Sequence, residues 1–343
     1  MSKVTINDIA KAANVAKSTV SKVLNDSPTI PESTKLKIRE IMKQMNYIPS
    51  SIATQLAKQS SFNIGVLIDM SRKHDFLNHF FYTIIGGIEN VIGMLDYELT
   101  ICNSHSRSEN NFMERLVLNK KVDGLIMDNS ILTESLAGQL NDLGFPFVSL
   151  GGLPGVDTIS WVDIDNVRGA EMITEHLLQK GYNRFAFVGG EAQSPIFINR
   201  YEGVVRTLKR NGKDIHPVYL KTGSFNEESG YIFMQELLAL ESPPDAVICI
   251  NNYTAFGVLK SIREQNLAIP DDIGIVTFDN YPLAPYTSPP LTCLHLDTFE
   301  LGVTAGTMLT ERIAQTDKPV ESRLIEPTLI IRESSSKQTK VIK

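Results

Sequence analysis

The stretch TINDIAKAANVAKSTVSKVLN, from Thr5 to Asn25, constrains this chain more than any other. Ile6, Ile9, Ala10 and Ala13 fall at i, i+3, i+4 and i+7, which makes one apolar face of a short helix. Thr5 is placed to cap that helix. Asp8, three residues on, comes close to a capping box at the helix end that favours negative charge. Asn14 falls where a tight turn needs a residue tolerant of positive φ, and Val15 closes the turn with an apolar anchor. A second helix over about Lys17 to Leu24 turns Val20, Val23 and Leu24 inward and Lys17, Ser18, Ser21 and Lys22 outward. The outward face is short, polar and positive. It suits a helix laid in a major groove, where Lys donates to guanine and Ser or Thr bonds a base edge or a phosphate. An ordinary solvated helix is the alternative reading of the same pattern. Thr5, Lys17, Ser18, Thr19, Ser21, Lys22 and Asn25 form the expected DNA-facing set.

Charge supports the first reading once it is divided along the chain. The net charge of −6 splits into +5 over residues 1–61, from nine bases and four acids, and −11 over the remainder. A basic head on an acidic body fits a nucleic-acid module joined to something else, with the body repelled by phosphate. No run approaches the roughly 18 consecutive apolar residues of a membrane span, and the opening MSKVTINDIAK has no signal-peptide core, so a cytoplasmic location is expected. Cys102, Cys249 and Cys293 each lie in or beside an apolar run, and their odd number without CxxC spacing speaks against disulfides and zinc. They are expected to be small core residues.

After the second helix, Asp26-Ser27-Pro28 makes a loop and Pro31 opens a third helix. Leu36, Ile38, Ile41, Met42 and Met45 are expected on its apolar side, and Lys35, Arg39 and Lys43 on the exposed one. Asn46-Tyr47-Ile48-Pro49 should end it, because Pro49 disfavours helix at the residue before it. SIATQLAK, from Ser51 to Lys58, is a linker with helical tendency, too short to fold alone. The body then alternates apolar runs with helical patterns. FNIGVLID, YELTIC, VDGLIMD, FPFVSL, RFAFVGG, DAVICI and IGIVTFD have the look of buried parallel strands, with helices such as 81–94 and 167–180 between them. Repeated βα units imply two doubly wound lobes that change near Val162 to Asn166. Several polar and aromatic residues follow strands, where a ligand would sit. Arg200, Asn251 and Asp279 could together hold sugar hydroxyls through paired donors and acceptors. Trp161 lies near the lobe change.

The N-terminal stretch, the third helix and NYIPSSIATQLAK together resemble the headpiece of the LacI/GalR family of transcriptional regulators. The remainder resembles that family's periplasmic-binding-protein-like effector domain, so the resemblance covers nearly the whole chain. It implies an α-helical helix-turn-helix headpiece over 1–49, a hinge helix over 50–60, and an α/β body over 61–335. The N-lobe would take about 61–163 and 292–322, the C-lobe about 164–291 and 323–335, with a tail over 336–343. Crossings near Leu291 to Leu296 and Arg323 to Pro327 would make a hinge around a cleft. By the same resemblance, Tyr47 and Ser50 touch phosphates, although Tyr47 could equally be a rim residue of the small core. Leu56, flanked by Ala53 and Ala57, would wedge into the minor groove at the operator centre. Arg200 matches the effector-binding arginine, while Phe80, Phe81 and Phe225 match positions that pack on a sugar or base ring. Each has a plainer alternative: Arg200 paired with a surface acid, Asp279 capping a turn, the aromatics in the core.

The sequence departs from the family at Ala16, where Ser usually caps the recognition helix, and in the longer connection MSRKHDFLNHFF. The tail ESSSKQTKVIK has no leucine heptads, so a dimer is expected and not a tail-assembled tetramer. GxGxxG after the first strand, GxxxxGK[ST] and HExxH are all absent, and Gly189-Gly190 alone is a weak phosphate signal. The implied protein is not an enzyme and has neither metal nor cofactor. It is a homodimeric, DNA-binding repressor of a near-palindromic operator, controlled by a sugar-like metabolite bound between the lobes. Control by a protein partner docking on the body is the alternative.

Overall fold

The structure, a computed structural model, describes residues 4–48, 58, 60–69, 79–104 and 112–337. Three helices build the head: α1 (Ile6–Ala13), α2 (Lys17–Leu24) and α3 (Glu32–Gln44). Ile9, Ala10, Ala13, Val20, Val23, Ile38 and Met42 pack into one small core, as the helical periodicity requires. Asn14 turns the chain between α1 and α2 in the left-handed conformation (φ 56°, ψ 49°).

Two expectations about α3 are corrected. Lys35 is buried and Leu36 is 60% exposed, the reverse of what side-chain polarity suggests. Lys35 stands three residues before Ile38 and seven before Met42, so the helical phase turns it inward. Its ammonium reaches the Asp26 carboxylate at 2.9 Å and that of Glu32 at 3.6 Å. The bonds from Lys35, with Arg39 nearby, hold the Asp26 carboxyl below its ordinary range. The helix ends where Asn46-Tyr47-Ile48-Pro49 was expected to end it: Asn46 takes φ 49° and the Tyr47 amide bonds back to Met42 O at 2.9 Å.

The body contains β1 (Asn63–Ile68), α4 (His79–Ile92), β2 (Glu98–Asn103), β3 (Gly124–Asp128), α5 (Glu134–Asp142), β4 (Phe147–Leu150) and β5 (Trp161–Ile164). It continues with α6 (Asn166–Gln179), β6 (Phe185–Val188), α7 (Pro195–Arg210), β7 (Leu220–Lys221), α8 (Glu227–Leu238), β8 (Ala246–Cys249), α9 (Asn252–Glu264) and β9 (Gly274–Phe278). It closes with β10 (Thr292–His295), α10 (Thr298–Ala314), β11 (Ser322–Ile325) and β12 (Thr328–Ile330). One six-stranded sheet has the order β11-β5-β4-β3-β1-β2 and the other β12-β10-β9-β8-β6-β7. The β1, β5, β6, β8 and β9 pairings are parallel, and β12 alone among the described pairings joins antiparallel, to β10.

Strand pairing moves the expected lobe boundaries. Residues 292–295, expected in the first lobe, pair with β9 in the second sheet. Residues 323–325, expected in the second lobe, pair with β5 in the first. A short apolar run announces a strand, but its sheet is chosen by a neighbour distant in sequence. The end of the body is also more deeply built in than a tail beginning at Glu333 would be. Ser334 and Ser335 are fully buried. Ser334 donates to Ile275 O at 2.6 Å, and Ser335 donates to the Thr292 hydroxyl at 2.6 Å while sharing a 2.7 Å bond with His176.

The cysteines are free and buried, as expected of core residues. Burial pushes the Cys293 thiol up to about 12. Contacts gather the chain into two compact units: Met1–Arg72 with Glu89–Val148 and Thr307–Lys318, and Lys73–Ile88 with Ser149–Gly306 and Pro319–Lys343. Among the described residues no helix is long and apolar enough to cross a membrane.

Candidate functional site

In the head, α2 presents Lys17, Ser18, Lys22 and Asn25 to solvent, with Thr19 and Ser21 half-buried beside them. Among the described residues the four exposed side chains have no hydrogen-bond or ion-pair partner, so their donors are unspent. Thr5 is engaged differently. Its amide and hydroxyl donate to the Asp8 carboxylate at 2.9 and 2.7 Å, and these bonds hold that carboxyl below its ordinary range. Tyr47 is half-buried against the small core, the plainer of its two readings. Ser50, Ala53 and Leu56 lie outside the described residues.

Ala16 occupies the cap position of α2 in extended conformation (φ −70°, ψ 149°) and supplies no side-chain acceptor. That geometry already suits a Ser cap. Ala16→Ser will therefore stabilise the head by about 1 kcal/mol, measured as a higher urea midpoint for the head's own transition. An unchanged midpoint would mean that the α2 amides are satisfied by solvent alone.

In the body, Arg200 is carried by α7. Ser194 caps that helix by accepting the Phe197 amide at 3.2 Å, and Pro195 sits in its first turn. Arg200 lies on the buried stripe of α7 with Phe197, Val204 and Leu208, and it is only 5% exposed. Its Nε donates to Asn166 Oδ1 at 2.8 Å, and Nη1 donates to the carbonyl of Ile250. The Phe278 ring lies 4.1 Å from Cζ. Gly189 and Gly190 hold this corner together: both have positive φ (96° and 87°), and a Cβ on Gly189 would come 2.6 Å from the Ile250 side chain. The glycine pair thus serves the turn and its packing.

Asp279 follows β9 at φ 66° and is 8% exposed. Its Oδ1 stands 3.8 Å from Arg200 Nη2, within reach of ion pairing and too far for a hydrogen bond. Burial pulls the guanidinium below its ordinary range against Asp279, Asp163 and Tyr281, and it raises the Asp279 carboxyl against Arg200. The pair therefore carries desolvation that its own attraction does not cancel.

Asn251 is committed to the backbone. It caps α9 by accepting the Thr254 amide at 2.9 Å and donates to Phe225 O at 3.0 Å, which ties two expected site residues together. Trp161 and Asp163 alternate on one side of β5, and the Trp161 ring packs on Gly152, where a Cβ would lie 3.2 Å from it. Phe80 and Phe81 are half-buried on the first turn of α4, with Phe81 edge-on to Tyr82 at 6.3 Å. Sequence reasoning missed Asn166, Asp163, Phe278 and Asn252, whose amide donates to Asp279 O. The run WVDIDN carried a signal, since two acids and an amide directly follow or interrupt an apolar strand.

The description "Bacterial regulatory proteins, lacI family" matches residues 5–50, and "Periplasmic binding protein-like domain" matches residues 174–335. The chain is 32% identical over 335 residues to the HTH-type transcriptional repressor PurR of Pasteurella multocida, covering 96% of this chain and 98% of that protein. A LacI family transcriptional regulator from Enterococcus faecium, solved with bound ribose, is 28% identical at a TM-score of 0.69, over 81% of this chain and 100% of its own. The fold is shared with the Lac repressor dimer bound to operator and an anti-inducer, at a TM-score of 0.81 and 24% identity, over 97% of this chain and 99% of that one.

Proposed function

Because the chain belongs to the LacI family of bacterial regulatory proteins, and is thus a DNA-binding transcriptional repressor and not an enzyme, we propose that a neutral, hydroxyl-rich metabolite controls it. The observation that carries this reading is the incomplete Arg200–Asp279 pair. A sugar hydroxyl donates and accepts at once, so it can accept a hydrogen bond from Arg200 and donate its O–H to Asp279. Two carboxylates, Asp279 and Asp163, act on Arg200, which disfavours a phosphorylated ligand. Trp161 and Phe225 offer apolar surface of the kind that covers a sugar ring, and the ribose-bound relative supports the same class.

The protein would act as a homodimer on a near-palindromic operator, each α2 in a major groove. The expected Leu56 wedge belongs to this proposal. The effector can shift operator affinity only by its differential affinity for the two states.

A thermal-shift screen against neutral sugars, sugar phosphates and nucleobases tests the effector class. Saturation at a hundredfold excess over Kd is worth about 2.7 kcal/mol, a shift of a few °C. A neutral sugar is expected as the hit. A phosphate-bearing or nucleobase hit would replace this class, and no hit would favour a protein partner.

Lys22→Ala should relax preference at one base position in each half-site, by about 1–3 kcal/mol. Fluorescence anisotropy on single-base operator variants at fixed salt reads this directly. Equal loss on every sequence would assign Lys22 to phosphate.

A further inference from the structure

The segment Ser60-Ser61-Phe62 enters β1 from the side of the chain that leads in sequence to the head. A single carboxylate, that of Asp123 just ahead of β3, holds all three residues. Oδ1 accepts the Ser61 amide at 2.8 Å and the Ser61 hydroxyl at 3.0 Å. Oδ2 accepts the Phe62 amide at 2.9 Å and also the Ser60 hydroxyl. Phe62 itself is held at φ 51°, a conformation a bulky residue adopts only when its surroundings impose it. Its ring is fixed by Tyr97 at 5.7 Å and by the Lys58 ammonium at 4.9 Å, and its carbonyl by the Glu98 amide at 2.9 Å.

The β1–β3 ladder does not need these side-chain bonds, since the backbone joins the strands by itself, through the Asp123 amide on Asn63 O at 2.8 Å and from Ile64 opposite Gly124 onward. The carboxylate spends its acceptors on the residues before the strand. The second sheet repeats the device at a different place. Asp245, just ahead of β8, accepts the amides of Asn183 at 3.0 Å and Arg184 at 2.7 Å before β6. There the clasped residues join two elements of the body and lead to no head.

We infer that Asp123 is a positioning residue for DNA binding: it clasps Ser60–Phe62 and so fixes how the chain leaves the body toward the head. The inference rests on the operator-binding reading above. A head whose tether is loose must be ordered again on each operator, and the lost ordering appears as weaker binding.

The test uses the full chain and a DNA duplex selected from a random pool by the wild-type protein. Asp123→Asn keeps the side-chain shape but removes the charge and turns an amide group toward N–H and O–H donors. Binding to the selected duplex should weaken about tenfold, the worth of one charge-assisted bond. Asp245→Asn makes the same chemical change in the second sheet and should leave duplex affinity at the wild-type value. Ser61→Ala, which removes one clasp bond, should fall between wild type and Asp123→Asn. Urea unfolding of each variant separates ordering from stability. If the two Asp variants lose affinity alike, or Asp123→Asn loses it only in proportion to its unfolding midpoint, the clasp is purely structural and the inference is overturned. Wild-type protein that selects no duplex would overturn the operator-binding reading first, and the clasp with it.

Discussion

Arg200→Ala is expected to abolish the effector's thermal shift and to lower stability in the absence of any ligand. The guanidinium is the hub of its site: Asn166, the Ile250 carbonyl, the Phe278 ring and Asp279 all meet it. Removing it takes away the donor proposed for a ligand hydroxyl, which should weaken effector binding by about a hundredfold or more. Breaking a buried ion pair from one side commonly costs about 3–5 kcal/mol, because the other charge stays buried alone. The cost here should fall at the lower end of that range, since the pair is not hydrogen-bonded and Asp279 can take up a proton.

That escape fixes the pH dependence. Burial already raises the Asp279 carboxyl and Arg200 opposes the rise, so removing Arg200 raises it further. A buried acid with a raised folded-state pKa costs stability above its unfolded pKa of about 3.9 and costs none below it. The stability gap between Arg200→Ala and wild type should therefore narrow as pH falls toward 4. Urea titrations at several pH values measure it. A gap that stays constant would mean that Asp279 is not the charge left behind. Operator binding without effector should be the same in the variant as in wild type wherever the variant is folded, which separates ligand recognition from DNA binding.

The second large effect is expected at Gly257. A Cβ there would lie 1.9 Å from the carbonyl oxygen of Glu227 and 2.6 Å from the Tyr231 amide nitrogen. Gly230 meets α9 in the same way, its added Cβ falling 2.2 Å from Thr254 O. The α8 and α9 backbones thus touch directly, and no flexible side chain can give way. Gly257→Val must push the helices apart, at a cost of about 3 kcal/mol or more. α9 is capped by Asn251, which holds Phe225, and begins with Asn252, which holds Asp279. Effector binding should therefore weaken before the protein unfolds, with the urea midpoint and the effector shift measured on one sample. Gly138 is the control. It lies in α5 with nothing within 4 Å of an added Cβ, so Gly138→Ala should be neutral or stabilising by up to about 1 kcal/mol. A Gly257→Val protein as stable as wild type would show that α8 and α9 can separate freely.

The sequence by itself determined what depends on neighbours close along the chain. The phase of α1 and α2, the Thr5–Asp8 pairing, the left-handed turn at Asn14 and the strands from β1 to β4, with β6, β8 and β9, follow from local periodicity and backbone preference. The basic head and acidic body follow from counting. Tertiary structure decided whatever depends on distant partners. The stretches of β10 and β11 stood out only as crossings implied by resemblance, and pairing with β9 and β5 made them strands and assigned their sheets. Lys35 is buried and Leu36 exposed because helical phase and the Asp26 carboxylate outweigh side-chain polarity. Arg200 and Asp279 stand out in the sequence as polar residues near strand ends. Their incomplete pairing, and the parts of Asn166, Phe278 and the Ile250 carbonyl, exist only once residues up to 113 positions apart in the chain, Asn166 and Asp279, are packed around one buried charge.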